Sequence, residues 1–208
     1  MHTKRYWVLI PLSLLFGLVV AVFWQQEMRY LLPTPVPTGY QSVLPNEPID
    51  LIRYLDSSSS KPVLLHFFSA DCPCSRFNID HFRYLESRYR DSIDFYVVLP
   101  GEGAGEAASQ FEKQYDLSIP VLIDQNEELA KACGVYSTPQ VAIISRQHQL
   151  YYRGNYNRAR YCTAKSTSYA ELALKSLLQG GPPPVFVELA TQSYGCQLPS
   201  EKDNDAWF

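Results

Sequence analysis

Several features from which a function is often read directly are missing from this 208-residue sequence. Its 18 lysines and arginines are scattered and are outnumbered by 21 acidic residues, so no basic run is available to follow a nucleic-acid backbone. The glycines at 101–105 are not followed by the Gly-Lys-Ser/Thr of a phosphate-binding loop. The four histidines lack the spacing of a metal site. We therefore predict no nucleic-acid partner, no metal and no cofactor.

Cysteine is also scarce, since five residues are too few for a small disulfide-dense domain. Two of the five lie in Cys72-Pro73-Cys74, directly after an apolar stretch of strand length and at the start of a helical pattern. A helix N-terminus stabilises the thiolate, which is the reactive form of cysteine. This arrangement indicates thiol redox chemistry.

The N-terminal segment contains an uncharged run, Trp7 to Trp24, that is long enough to cross most of a bilayer. A cleaved signal peptide is the alternative, but the run is longer than a usual signal core and lacks a small-x-small cleavage site. We predict an uncleaved single-pass anchor over residues 1–27. Lys4 and Arg5 precede the run, which favours a cytoplasmic N-terminus and an exported main domain, periplasmic if the cell is Gram-negative. Residues 28–45 then form a proline-rich linker.

Residues 46–180 alternate the patterns of strands and helices, and residues 181–208 form an extended tail. A short helix from Asn46 to Leu55 is followed by an α/β pattern that ends in an antiparallel hairpin. Its predicted elements are the strand Pro62–Phe68, the helix Pro73–Tyr89, the strand Ile93–Leu99, the helix Glu106–Tyr115, the hairpin strands Pro139–Ser145 and Leu150–Gly154, and a helix after Ser168.

Two motifs make the chain similar to the thioredoxin superfamily, and more closely to its membrane-anchored, exported, redoxin-like branch. Cys72-Pro73-Cys74 stands where that superfamily has Cys-x-x-Cys, and Ser137-Thr138-Pro139 resembles its cis-proline element. The resemblance implies a thioredoxin-like α/β fold, a central mixed sheet flanked by helices. It also implies a cis bond before Pro139, and a peptide-binding groove shaped by Thr138, Pro139 and Pro73.

The same resemblance implies a thiol–disulfide oxidoreductase in which Cys72 attacks and Cys74 resolves. Its partners are then protein or small-thiol disulfides outside the cytoplasm and a thiol electron donor or acceptor. The motif departs from the superfamily by one missing residue between the cysteines, so a Cys72–Cys74 bridge is expected to be strained and easily reduced.

The remaining cysteines leave two arrangements open. Cys162 and Cys196 lie outside the predicted helices, and in an oxidising compartment they form a candidate structural disulfide that pins the tail to the domain. In the other arrangement Cys196 is a mobile resolving cysteine for Cys72. Asp124 and Glu127 predict the start of a helix that ends at Gly134, and Cys133 in its last turn is expected to pack beneath it as a small apolar residue.

Two other functions compete with the oxidoreductase hypothesis. Ser69-x-x-Cys72 matches half of the peroxiredoxin pattern, which indicates a thiol peroxidase, although Leu65 stands where that pattern has proline. A copper-handling thioredoxin-like protein is the second alternative, and the narrow Cys-Pro-Cys spacing argues against it. A degenerate fold with buried, inert thiols is the remaining interpretation.

Overall fold

The computed structural model describes residues 3–27, 32–55, 60–101, 104–158 and 167–198, and the chain divides into two compact units, Met1–Pro33 and Thr34–Phe208. The first unit contains one helix, α1 (Thr3–Glu27). Its stretch Trp7–Gln25 has a mean hydropathy of 2.4 and is long and apolar enough to cross a membrane. A signal sequence passes the same test of length and composition.

The second unit carries the other described helices and strands, together with a 3-10 turn at Gln125–Glu127. In chain order they are β1 (Val63–Phe67), α2 (Pro73–Tyr89), β2 (Asp94–Pro100), α3 (Ala104–Tyr115), β3 (Val121–Asp124), α4 (Glu128–Ala132), β4 (Ser137–Thr138), β5 (Gln140–Ile144), β6 (Leu150–Gly154), α5 (Tyr169–Leu178), α6 (Glu188–Thr191) and β7 (Cys196–Gln197).

Five of the strands form a mixed sheet in the order β3-β2-β1-β5-β6. β1 pairs in parallel with β2 and antiparallel with β5, and all five of its residues are buried. A central strand covered on both faces by helices reads as a continuous apolar run, which is why the sequence predicted β1 so directly. The mixed sheet flanked by helices confirms the predicted thioredoxin-like fold.

Alternation along β1 divides the core between the two faces of the sheet. Leu64 and Phe68 pack on one face with Phe82 of α2. Leu65 and Phe67 pack on the other face, where Leu129 of α4 covers them. Packing on both faces of the sheet therefore holds the end of β1 in place. The loop that follows β1 carries Cys72.

The predicted helix at 46–55 is wrong, because the structure has an isolated bridge and turns there. Pro48 pairs with Gln149, and the Asp50 carboxylate accepts a hydrogen bond from the backbone N–H of Ile52 at 3.1 Å. A side-chain bond of this kind satisfies the backbone locally and competes with helix formation. Ile49 and Leu51 nevertheless reach the core, as their apolar character predicts.

His66 lies in the core on β1. Its side chain is fully buried, its ring stacks on Phe82 at 4.4 Å between centroids, and its Nδ1 lies 2.7 Å from the Tyr156 hydroxyl. Nε2 has no hydrogen-bond partner among the described residues. Burial, with a smaller contribution from His81, lowers the pKa of His66 to about 3.

This histidine is expected to make the domain sensitive to acid. The unfolded chain takes up a proton near pH 6.5, whereas folded His66 stays neutral down to about pH 3. The free energy of unfolding is therefore unaffected by this histidine above pH 6.5. Below pH 6.5 it decreases as the pH falls, by on the order of 1 kcal/mol per pH unit, because only the unfolded chain takes up the proton. Urea unfolding followed by circular dichroism between about pH 7 and pH 4.5 measures this slope.

The control for this prediction is a pair of variants. His66→Phe combined with Tyr156→Phe removes the histidine without leaving a buried hydroxyl unpaired, and it should flatten the acid slope. His148→Asn, at an exposed turn position with φ of 57°, should leave the slope unchanged. Equal slopes in the wild type and the double variant would contradict the assignment.

Candidate active site

Cys72 sits at the junction between the sheet and α2. It is the N-cap residue of α2, with extended backbone angles (φ −90°, ψ 112°), and Pro73 follows at the first helical position. Proline is well suited there because its fixed φ matches the helix and its missing N–H has no intrahelical partner to lose. The Cys72 side chain is only 1% exposed. The nucleophile predicted from the sequence therefore lies at a helix N-terminus and is covered.

Cys72 forms a disulfide bond, and the partner of Cys72 in that bond is Cys196 rather than Cys74. The two Cα atoms are 5.9 Å apart, within the usual range for a disulfide, although 124 residues separate them in the sequence. Cys74 is buried in the first turn of α2 and takes no part in this bond. The expected bridge within the Cys-Pro-Cys motif is thus not the one that the structure contains.

The same disulfide also corrects the expected structural pairing of Cys162 with Cys196. Cys162 lies outside the described residues, and Cys196 is bonded to Cys72. The physical reason is the strand pair β4–β7, in which Thr138 lies opposite Cys196 and Ser137 opposite Gln197. This pairing sets Cys196 beside the helix N-terminus that carries Cys72.

The Thr138–Pro139 peptide bond is cis, as the resemblance implied. This bond joins β4 to β5. It lies directly beside the disulfide, with Cys72 Sγ 3.3 Å from the carbonyl oxygen of Thr138. Three separate segments therefore meet at one sulfur atom: the start of α2, the cis-proline strand and the end of the described chain. The structure brings Cys72, Pro73, Thr138 and Pro139 together and adds Cys196.

The segment that carries Cys196, which we call the C-terminal strap (192–198), is held on both sides by polar contacts. Gln140 Nε2 donates to Ser193 Oγ at 2.7 Å, and the backbone N–H of Thr34 donates to the Ser193 carbonyl at 2.8 Å. Thr34 Oγ1 also donates to the Gly195 carbonyl at 3.3 Å. Thr34 belongs to the predicted proline-rich linker, so part of that linker is packed on the strap.

An open cavity of about 250 Å³ lies beside the strap. Tyr40 and Tyr136 meet edge to face on its wall at 4.9 Å between ring centroids, and Leu198 at the end of the strap also lines it. Tyr136 directly precedes β4, so the cavity borders the cis-proline element.

The other chemistry-bearing groups lie away from this site. Burial raises the pKa of the Cys133 thiol, which packs in the core beneath α4 and is held as the neutral, unreactive form. Within the parts of the chain that the structure describes, no three or more histidine, cysteine or acidic side chains are grouped as a metal ion would need.

Sequence comparison finds two curated relatives that match part of the chain. Over 93 residues the chain is 30% identical to the thiol-disulfide oxidoreductase ResA of Bacillus thuringiensis subsp. konkukian (strain 97-27). The match covers 44% of this chain and 53% of that protein, so the chain spans about half the length of the curated relatives it matches. ResA of Bacillus cereus (strain ATCC 10987 / NRS 248) matches to the same extent.

Structure comparison agrees on the fold. A hypothetical protein from Sinorhizobium meliloti 1021 superposes with a TM-score of 0.61 at 20% identity, covering 76% of this chain and 94% of that one. An uncharacterized conserved protein from Geobacillus kaustophilus gives a TM-score of 0.59 at 23% identity, covering 78% and 90%. Residues 42–198 match a family profile that contains β1 to β7, including both cysteines of the disulfide. The chain belongs to the family described as "Domain of unknown function (DUF6436)".

Proposed function

We propose that this protein is a membrane-tethered thiol–disulfide oxidoreductase that acts on protein or small-thiol disulfides outside the cytoplasm. The observation that carries the proposal is the Cys72–Cys196 disulfide, which lies at a helix N-terminus and against the cis Thr138–Pro139 bond. A reversible bond at such a place is suited to exchange, because the helix N-terminus stabilises the Cys72 thiolate once it is released.

The proposed cycle starts when an external dithiol reduces the Cys72–Cys196 bond, giving two protein thiols and one oxidised donor. The Cys72 thiolate then attacks a disulfide of the protein substrate, which we call the client. A bond forms from Cys72 to one client sulfur, and the other client sulfur leaves as a thiolate. A second protein thiolate attacks Cys72 and releases the first client sulfur, so that the client has gained two electrons.

We assign the second, resolving role to Cys196. The bond that this role produces, Cys72–Cys196, is the one present in the structure. Cys74, the residue that the sequence favoured, is the rival for this role. The similarity to ResA supports the reaction class, since that relative is by its name a thiol-disulfide oxidoreductase.

The activity is tested with the full-length protein in detergent. With dithiothreitol as the electron donor, the protein should accelerate the reduction of insulin disulfides, followed as turbidity from the released B chain. Catalysis above the dithiothreitol background supports the proposal. A rate equal to that background, with the protein shown to be folded and reduced, would contradict it.

The membrane tether is a separate part of the proposal. α1 is proposed to remain as the anchor, with the main domain exported. Full-length protein should stay in the membrane pellet after carbonate extraction and keep its N-terminal mass, and alkaline phosphatase fused after Phe208 should be active. Recovery of a shortened soluble protein would instead identify α1 as a cleaved signal sequence.

A further inference from the structure

The C-terminal strap occupies the site in the manner of a bound client. β7 pairs antiparallel with β4 through its backbone, and at the same register position it presents the sulfur of Cys196 to Cys72. A client held at Cys72 as a mixed disulfide, with its chain extended along the cis-proline strand, would need the same two interactions. The strap therefore displays the geometry of the enzyme–client intermediate within one chain.

Glycine at position 195 is required for this fit. Its φ is +156°, and a Cβ atom there would overlap the carbonyl oxygen of Thr138. The backbone before the cysteine passes so close to β4 that no side chain fits between them. Any segment that follows the same path must carry glycine directly before its cysteine.

The strap is also an imperfect occupant. It pairs with the backbone of β4, yet Ser137 Oγ, Thr138 Oγ1 and Gln140 Oε1 are buried without a hydrogen-bond partner among the described residues. Buried polar atoms without partners cost free energy, and another occupant that satisfies them regains it. After reduction, the strap is held by its short pairing and by the contacts from Thr34 and Gln140.

We propose that the C-terminal strap is an internal substitute for the client, and that it competes for β4 with extended client segments in which glycine precedes the reactive cysteine. The proposal rests on the proposed function and adds the substrate class and its regulation. A client strand and β7 cannot pair with β4 together. Return of the strap therefore both displaces the client strand and delivers Cys196 to the mixed disulfide. Cys72 Sγ gains the bond to Cys196, and the client leaves as a thiolate.

The test makes the same change, glycine to alanine, once in a peptide probe and once at Gly195 of the protein. The protein is the full-length Cys196→Ser variant in detergent, which keeps the strap but cannot close the disulfide. The probe is the peptide Gln-Ser-Tyr-Gly-Cys-Gln-Leu, its cysteine joined by a disulfide to 2-nitro-5-thiobenzoate, so that attack by Cys72 releases a coloured thiolate. The control peptide has alanine in place of glycine. Rates measured with Cys72→Ser/Cys196→Ser are subtracted as the contribution of other thiols.

The change from glycine to alanine is expected to have opposite effects on the reaction rate in the peptide and in the protein. In the peptide, changing glycine to alanine should slow the reaction roughly tenfold, because alanine prevents pairing with β4. In the protein, Gly195→Ala should accelerate reaction with the glycine peptide roughly tenfold, because it lifts the strap away from Thr138. Thr34→Val, which removes only the hydrogen bond to Gly195, should act in the same direction and does not depend on Gly195→Ala folding normally.

A small disulfide separates failure of this inference from failure of the proposed function. Reaction of Cys72 with 5,5′-dithiobis(2-nitrobenzoate) needs no strand pairing, so it reports in each variant whether the thiolate itself is reactive. If Cys72 reacts with this reagent but treats both peptides alike, and neither Gly195→Ala nor Thr34→Val accelerates the peptide reaction, the inference is overturned and the proposed function stands. If Cys72 reacts with none of these disulfides, the proposed function is overturned and the inference with it.

Discussion

Replacing Cys72 by serine is expected to lower the rate of insulin reduction by at least about 1,000-fold, to the dithiothreitol background. The reason is chemical, since a serine hydroxyl at this position is not ionised and cannot form the mixed disulfide with the client. Serine is close in size to cysteine, and position 72 is an N-cap, where serine is favoured. Relative to the reduced wild type, which also lacks the Cys72–Cys196 bond, the loss should therefore come without a loss of fold, and thermal unfolding in reductant followed by circular dichroism checks this.

Cys133→Ala is the matched control for this experiment. It also removes one thiol, but that thiol is fully buried in the core beneath α4 and its pKa is raised by burial. We expect this variant to be less stable by about 1 kcal/mol and to keep its reductase rate. Full activity in Cys72→Ser, or an equal loss in both variants, would show that Cys72 is not the attacking residue.

Replacing Cys196 by serine is expected to trap the client on Cys72. Without the resolving thiol the second exchange cannot take place, so the mixed disulfide should accumulate to near stoichiometric amounts and turnover should fall at least about 100-fold. Non-reducing electrophoresis of the full-length protein after incubation with oxidised insulin shows the adduct as a band that disappears with reductant.

Cys74→Ser decides between the two candidates for the resolving role. Cys74 lies in the first turn of α2 and is buried, whereas Cys196 is already bonded to Cys72. We expect Cys74→Ser to accumulate no adduct and to keep most of its turnover. Trapping in Cys74→Ser and none in Cys196→Ser would return the resolving role to the Cys-Pro-Cys motif and would leave Cys196 with a structural one.

The sequence was sufficient for the framework of the site because local patterns determine it. β1 is a buried apolar run, and α2 begins at Pro73, whose fixed φ suits a first helical position. The cis Thr138–Pro139 bond followed from the resemblance, which placed a Thr-Pro pair just before a strand. The strand and the start of the helix are thus encoded by neighbouring residues, whereas the cis bond needed the resemblance.

The partner of Cys72 was not fixed in the same way, because the sequence left Cys196 open as a resolving cysteine for Cys72 but favoured its pairing with Cys162. The pairing of β4 with β7 involves two residues on each side, which is too short to leave an alternation pattern in the sequence. The Cys72–Cys196 bond itself joins residues that are 124 positions apart in the sequence, and nothing local signals that contact. Counting cysteines outside the helices therefore favoured Cys162 for Cys196. The one available signal was Gly195, a glycine directly before a cysteine, which the structure explains by close approach to Thr138.

The most direct test of this account is the disulfide map of the wild-type protein. Cells are quenched in acid, free thiols are alkylated, and the membrane fraction is digested without reductant for mass spectrometry. The account predicts a peptide containing Cys72 linked to one containing Cys196, and two alkylated peptides in their place after treatment with dithiothreitol. A Cys162–Cys196 link together with alkylated Cys72, or a bond between Cys72 and Cys74, would contradict it.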